Sequence, residues 1–266
     1  MRGTGFLDAY DFSLNPYSGC AFGCTYCYAA FFSRSAEQRD GWGRWVEVKE
    51  NAVELLMKRR LGSLDGKRIY MSSVTDPYQP VERRLGLTRR LLQVLADRHQ
   101  PKLVVQTRSP DVVRDCDLFR KIEERGGRVR VNMTVTTDDE DVRRTFEPSC
   151  PSNAQRLRAI AEVREAGIET CITLTPLLLV SDAEAFAGSL LATGVERFIV
   201  QPFQFARGRF VASTREGAVA MMAEKLGCGV DSFQPRYLAH YRRVFAVLRE
   251  GLPELGEGKD GFAPPF

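Results

Sequence analysis

Apolar residues along this chain fall in short blocks whose spacing switches repeatedly between two patterns. Compact apolar runs read as strands at Tyr10 to Leu14, Arg68 to Met71, Leu103 to Gln106, Val129 to Val135, Glu169 to Leu174 and Arg197 to Gln201. Between them, apolar positions three and four apart predict helices. These are Glu50 to Leu61 (carried by Val53, Leu55, Leu56 and Leu61), Leu87 to Asp97, Asp111 to Arg125, Ser152 to Ala166, Ser181 to Leu191 and Pro235 to Leu248. Ser109-Pro110 supplies an N-cap and a first-turn proline in the favoured order. Gly126-Gly127 closes that helix, Gly167 closes the next, and Ser181 is the expected N-cap of the one after.

Six strand–helix units in a row predict an α/β fold, a parallel sheet with outer helices. A length of 266 residues suits one such domain, expected over 1–255 with a cysteine-bearing loop at 15–28. The stretch 256–266, rich in Gly and Pro, is expected to be extended or loosely packed. Sheets of this kind bind ligands at the carboxyl ends of their strands. Here those ends carry the cysteine loop, Ser72-Ser73-Val74-Thr75-Asp76, Gln106-Thr107-Arg108, Thr134 to Asp138, Thr173 to Pro176 and Gln201-Pro202-Phe203. Polar groups gathered at those ends define one convergent site.

Composition narrows the setting. Apolar residues make up 44% and charged residues 27%, as in an ordinary globular protein. The N-terminus has no apolar signal segment, no apolar run is long enough to span a bilayer, and the seven cysteines form no framework. A cytoplasmic, reducing location is expected, with no membrane partner. The net charge of +4 is spread over arginine pairs such as Arg59-Arg60, Arg89-Arg90 and Arg242-Arg243 with acidic residues interleaved. Solvated helix faces explain this better than a nucleic-acid surface, which stays as the second reading.

The chemistry lies in Asn15-Pro-Tyr-Ser-Gly-Cys-Ala-Phe-Gly-Cys-Thr-Tyr-Cys-Tyr28, where Cys20, Cys24 and Cys27 are spaced C-x3-C-x2-C. Three thiolates this close suit three corners of a cubane iron–sulfur cluster, which protein-only ligation fills with four. The fourth iron is then open, and an open metal position marks catalysis. Structural zinc needs a fourth ligand, and neither His99 nor His240 has a cysteine at finger spacing. Cys116, Cys150, Cys171 and Cys228 are scattered; Cys171 reads as core, while Cys150 and Cys228 fall in predicted loops.

The cysteine spacing, with Tyr26 just before the last thiol, resembles the radical S-adenosylmethionine (SAM) superfamily. Within it the chain is most similar to the spore photoproduct lyase-like branch. That likeness rests on Asn15-Pro16-Tyr17, Gly19-Cys20, Gly23-Cys24 and Thr75-Asp-Pro-Tyr-Gln-Pro-Val-Glu82. Thr136-Thr137, Phe146-Glu147-Pro148 and Pro151-Ser152 before Arg156-Leu157 support it. The resemblance implies a partial (β/α)6 barrel, a 4Fe-4S cluster and S-adenosylmethionine as cofactors, and an electron donor such as flavodoxin or ferredoxin. It implies reductive cleavage to a 5′-deoxyadenosyl radical that takes hydrogen from a substrate, in a lyase or oxidoreductase reaction.

Carried onto this chain, the resemblance assigns Cys20, Cys24 and Cys27 to the cluster and places Tyr26 and Tyr28 beside the cofactors. Tyr28 gives the adenine a backbone contact or shields the cluster from water. Ser73 and Thr75 are candidates for the methionyl amine, through hydroxyl or carbonyl oxygen, and Asp76 either joins them or fixes a turn. Arg108 is expected on the SAM carboxylate, a planar group that a guanidinium binds in two places, unless it pairs with Asp111. Asn132 or Thr134 is expected on the ribose, and Arg156 is a second carboxylate candidate or part of a solvated helix face. Spore photoproduct lyases return hydrogen from a cysteine on the second-strand turn, but this chain reads Ile69-Tyr70-Met71-Ser72-Ser73 there. Tyr70, Tyr78 or 5′-deoxyadenosine would have to serve, or the reaction ends by oxidation. The expected substrate is a small molecule, nucleoside- or sugar-like, entering beside Gln201 to Arg209 with Phe203, Phe205 and Phe210 as an apolar wall. Radical repair of a DNA lesion and a non-catalytic metal-bound interaction protein are the alternatives.

Overall fold

The computed structural model describes residues 7–205 and 214–266. Among the described residues seven strands form one sheet: β1 (Phe12–Leu14), β4 (Arg68–Met71), β5 (Lys102–Thr107), β6 (Arg128–Thr134), β7 (Glu169–Leu174), β8 (Arg197–Val200) and β9 (Glu254–Glu257). They stand in chain order and every pair is parallel. Strands β1 and β9 remain edges, so the barrel is partial. A second, two-stranded antiparallel sheet joins β2 (Tyr17–Gly19) to β3 (Val46–Val48) beside the cysteine loop.

The helices are α1 (Ala36–Asp40), α2 (Ala52–Met57), α3 (Glu82–Leu85), α4 (Leu87–Arg98), α5 (Cys116–Glu124), α6 (Glu140–Phe146), α7 (Asn153–Glu165), α8 (Ala183–Leu191), α9 (Glu216–Lys225), α10 (Val230–Gly251) and α11 (Gly258–Gly261). One sheet face is apolar. Leu103, Val105, Val131, Met133, Ile172 and Phe198 pack there against Leu91 and Leu95 of α4, Phe119 of α5 and Ile160 of α7. Strand periodicity sends alternate residues to the other face, the barrel interior, which carries Tyr70, Gln106, Arg130, Asn132, Thr134 and Thr173. The sequence reads the strand bodies as apolar; the polar residues of this second face begin inside them, below the strand ends.

Several elements depart from expectation for identifiable reasons. The first strand is shorter than Tyr10 to Leu14: the Tyr10 N–H turns back to Leu7 O at 2.9 Å, and its ring meets Tyr70 edge-on at 5.2 Å. The expected helix over Glu50 to Leu61 is confined to α2. The expected helix over Asp111 to Arg125 splits into a 3-10 turn, Pro110–Asp115, and α5. Ser109 caps the turn as expected, accepting from the Asp111 N–H. The break lets the buried Asp115 carboxylate accept from Arg89 at 2.8 Å and Arg114 at 2.9 Å. The N-cap of α8 is Asp182, not Ser181: its carboxylate accepts from the Ala185 N–H at 2.9 Å, and its charge favours the helix N-terminus. The last long helix extends beyond Pro235 to Leu248 at both ends.

The tail is not loosely packed. Glu254–Glu257 adds β9 to the edge of β8, and Phe262 is buried with Leu7, Tyr10 and Ile199. An expected boundary at residue 255 falls inside this strand. No helix of the described residues is long and apolar enough to cross a membrane.

Candidate active site

The cysteine loop leaves β2 at Gly19, whose φ of +78° and close approach to Trp45 leave no room for a side chain: a Cβ would lie 2.5 Å from the Trp45 carbonyl oxygen. The loop then closes on itself through Gly23 N–H to Cys20 O at 3.3 Å and Cys27 N–H to Cys24 O at 3.1 Å. Thr25 N–H donates to Phe146 O at 2.9 Å, tying the loop to the end of α6. Cys20 and Cys24 are buried, Cys27 is half-buried, and all three are free thiols. Burial pushes the Cys20 thiol up and Cys27 up to about 12, whereas the hydrogen bond with Cys150 holds Cys24 below the ordinary thiol value. The donor set fits an iron–sulfur cluster: three soft ligands in a water-poor loop, whose thiolates would be stabilised by iron rather than by solvent. Among the described residues no three His, Cys, Asp or Glu side chains are disposed for a single ion; in a cubane the three thiolates sit on different irons.

A fourth thiol stands beside the triplet. Cys150 Sγ lies 3.6 Å from Cys24 Sγ, although 126 positions separate them in the chain. Sequence spacing placed Cys150 only in a loop.

Three of the expected cofactor residues meet at one buried carboxylate. Glu147 accepts from the Tyr26 hydroxyl, from Arg108 Nη1 at 3.0 Å and from Thr136 Oγ1 at 2.8 Å, and it forms an ion pair with Arg156. The Arg108 guanidinium lies over the Tyr26 ring, 5.6 Å from its centre. Burial opposes the Glu147 charge, but Arg156 and Arg108, with the Tyr26 and Thr136 hydroxyls, hold its carboxyl down at about 2. Arg108 therefore does not pair with Asp111, which Arg83 occupies at 2.6 Å. Nor does Arg156 lie on a solvated face. It is fully buried and also donates to Pro151 O at 3.0 Å and Thr134 O at 3.1 Å, an anchor more than a free ligand group.

At the end of β4 the chain bends through Ser72, which holds φ at +72° without being glycine. The Tyr28 hydroxyl donates to Ser73 O, and Asn15 bonds both Ser73 Oγ at 3.4 Å and Val74 N–H at 3.2 Å. Thr75 Oγ1 donates to Gly19 O at 2.6 Å, so its hydroxyl serves the loop. Asp76 fixes the turn, accepting from Tyr78 N–H, from Thr107 Oγ1 at 2.8 Å and from Arg108 N–H at 2.8 Å.

Inside the barrel, Tyr70 donates to Gln106 Oε1 at 2.7 Å. Arg130 Nε donates to Asn132 Oδ1 at 3.0 Å, Asn132 Nδ2 to Gln106 Oε1 at 3.2 Å, and Gln106 Nε2 to Thr134 and Thr173 at 2.7 and 3.0 Å. Asn132 and Thr134 thus share the interior face, as expected. Tyr78 does not join Tyr70. Its ring lies under the Arg114 guanidinium at 5.6 Å, and its hydroxyl is held high by burial and by Asp115, on the helix side of the turn. Phe203 is core and Phe205 is half-buried against it: both pack with Phe233 and Tyr237, and Phe203 meets the Tyr26 ring at 6.3 Å. Arg209 and Phe210 lie outside the described residues.

A parallel sheet in chain order with a three-cysteine loop at the top of its first strand defines a class, and sequence comparison gives the same one. The profile of the radical SAM superfamily matches residues 14–188, and the chain belongs to that superfamily. An uncharacterized protein of Methanocaldococcus jannaschii is 34% identical over 165 residues, 62% of this chain and 60% of that one. Another, from Acidianus two-tailed virus, is 28% identical over 173 residues, 62% of this chain and 55% of its own. The chain thus matches less than two thirds of the length of either. A Mycobacterium tuberculosis protein, also uncharacterized, is 28% identical over 247 residues, covering 89% and 67%. In fold, a mutant of spore photoproduct lyase aligns with a TM-score of 0.55 at 14% identity, over 94% of this chain and 76% of that one. SuiB of Streptococcus suis bound to precursor peptide SuiA aligns at 0.53 and 12%, over 93% and 48%.

Proposed function

We propose that this chain is a radical SAM enzyme that acts on a small polar molecule, nucleoside- or sugar-like, held inside the barrel beneath the cysteine loop. The observation that carries the reading is the barrel interior itself. Along the hydrogen-bonded series Arg130, Asn132, Gln106, Thr134 and Thr173, Arg130 Nη2 is buried with no hydrogen-bond partner among the described residues, a donor that a polar ligand can satisfy and an apolar one cannot.

When bound, the 4Fe-4S cluster and S-adenosylmethionine supply one-electron cleavage to a 5′-deoxyadenosyl radical. The chain's part is to hold and orient. Cys20, Cys24 and Cys27 hold three irons. Arg108, braced from below by Glu147, meets the methionyl carboxylate, and the carbonyls of the Ser73 to Thr75 turn, steadied by Tyr28, meet the amine. Thr134 or Asn132 meets the ribose. Tyr70 is the hydrogen donor within the barrel: burial keeps its phenol protonated. Its O–H passes one hydrogen atom to the product radical. A donor protein such as flavodoxin or ferredoxin supplies the electron that, with a proton, restores the phenol.

The test is deuterium transfer. Anaerobically reconstituted protein is offered deuterated nucleosides and sugars, and label is sought in 5′-deoxyadenosine. Label from one of these classes is expected. Label only from DNA or from a peptide would overturn the small-molecule reading.

A further inference from the structure

The segment Thr75 to Glu82 marks the branch in the sequence, yet the cofactor contacts above leave most of it unused. Gln79 is fully buried. Its Oε1 accepts from the Ala21 N–H at 2.9 Å, and its Nε2 donates to Thr75 Oγ1 at 3.1 Å and approaches Gly19 O at 3.5 Å. Thr75 in turn donates its hydroxyl to Gly19 O at 2.6 Å. The orientation has no alternative: an amide N–H can only donate, so the Gln79 carbonyl faces Ala21 and its NH2 faces Gly19 and Thr75. The backbone groups on either side of Cys20, the carbonyl before it and the N–H after it, are therefore both held from outside the loop.

Cys24 and Cys27 are secured differently, by the loop's own turn and by the bond of Thr25 to α6. Farther along the segment, Glu82 accepts the Tyr17 hydroxyl and the Thr88 N–H at the start of α4. Asp76 takes the Arg108 N–H. One segment thus reaches the cysteine loop and the strand end bearing Arg108.

We propose that Gln79, with Thr75, is a positioning residue for Cys20: it fixes the two peptide planes flanking that thiolate and so sets where the first iron is held. This rests on Cys20 being a cluster ligand, and it reassigns the Thr75 hydroxyl from cofactor to loop.

The test compares Gln79→Met, Thr75→Val and Thr75→Ser with the unaltered protein in two ways. The first is alkylation of individual cysteines in cluster-free protein, read by mass spectrometry with the core residue Cys171 as internal reference. The second is anaerobic iron release to a chelator. Gln79→Met and Thr75→Val are expected to raise Cys20 labelling relative to Cys171 roughly tenfold and to speed iron release by a similar factor, the scale of one or two buried hydrogen bonds lost. Thr75→Ser, which keeps the hydroxyl, is expected to behave as the unaltered protein. Labelling of Cys20 and Cys171 rising together would assign these bonds to general stability and overturn the proposal, as would unchanged labelling and release. If Gln79→Met does not fold, the Thr75 pair decides alone. Failure of the unaltered protein to take up iron and sulfide would instead refute Cys20 as a cluster ligand.

Discussion

Glu147 joins two arginines, a tyrosine and a threonine, and its charge holds them together. Replacing it by Gln leaves two guanidiniums facing an uncharged amide, at a cost of about 3 kcal/mol in unfolding free energy, measurable by urea denaturation. The same carboxyl gives a pH signature. Its folded value of about 2 lies below the 4.5 of an unperturbed glutamate. Its contribution is therefore full above pH 4.5 and is lost as pH falls toward 2. The unaltered protein should lose stability across that window, and Glu147→Gln should show a shallower loss. Tyr70→Phe removes the hydroxyl bonded to Gln106; 5′-deoxyadenosine should still form, while turnover to the hydrogen-returned product falls at least tenfold. What was legible at this scale was contiguous. The cysteine triplet stands within one loop, where spacing picks it out, and Tyr26 beside its last thiol is marked by the family resemblance. Gln79 reaches Ala21 across 58 positions, Glu147 reaches Tyr26 across 121 and Cys150 reaches Cys24 across 126. Nothing local in the sequence records such pairings, although Phe-Glu-Pro and Thr-Asp-Pro-Tyr-Gln-Pro stand out as motifs.

Element by element, apolar periodicity located the helices and main strands, and end chemistry located their limits less well. Ser181 and Asp182 are both good N-caps in isolation. Asp138 decides between them, because its carboxylate takes the N–H groups of both Ser181 and Asp182 at 2.8 Å and turns the Asp182 side chain onto the helix. Asp182→Ala should cost about 1 kcal/mol and Ser181→Ala a fraction of that, compared by thermal or urea unfolding. The split before α5 was hidden for a similar reason: the buried ion pairs of Asp115 override a continuous helical pattern. The short β2–β3 pair escaped notice because three-residue strands carry no usable period.

Across the whole molecule, alternation of strands and helices specified the parallel architecture, and the comparisons with known folds agree with it. The seventh strand was not foreseen, since Glu254–Glu257 lacks the apolar run that marks the others. It pairs with β8 from Arg197↔Glu254 to Val200↔Glu257, and it depends on glycine: a Cβ at Gly256 would lie 2.9 Å from the Gly261 Cα. Gly256→Ala should push β9 and α11 apart and lower stability by about 1–3 kcal/mol, with hydrogen exchange rising first at residues 254–261. The polar interior was equally hidden, because a strand buried on both faces gives no sign of which face carries the polar groups.

In the proposed assignment three cysteines hold the cluster while Cys150, in contact with Cys24, stays out of it. The most direct measurement is iron content and 5′-deoxyadenosine formation in anaerobically reconstituted, reduced protein supplied with S-adenosylmethionine, for the Cys24→Ala and Cys150→Ala variants. Cys150→Ala should retain roughly four irons per chain and form 5′-deoxyadenosine, whereas Cys24→Ala should lose both. A Cys24→Ala protein that still cleaves S-adenosylmethionine, or a Cys150→Ala protein that loses its cluster, would contradict the assignment.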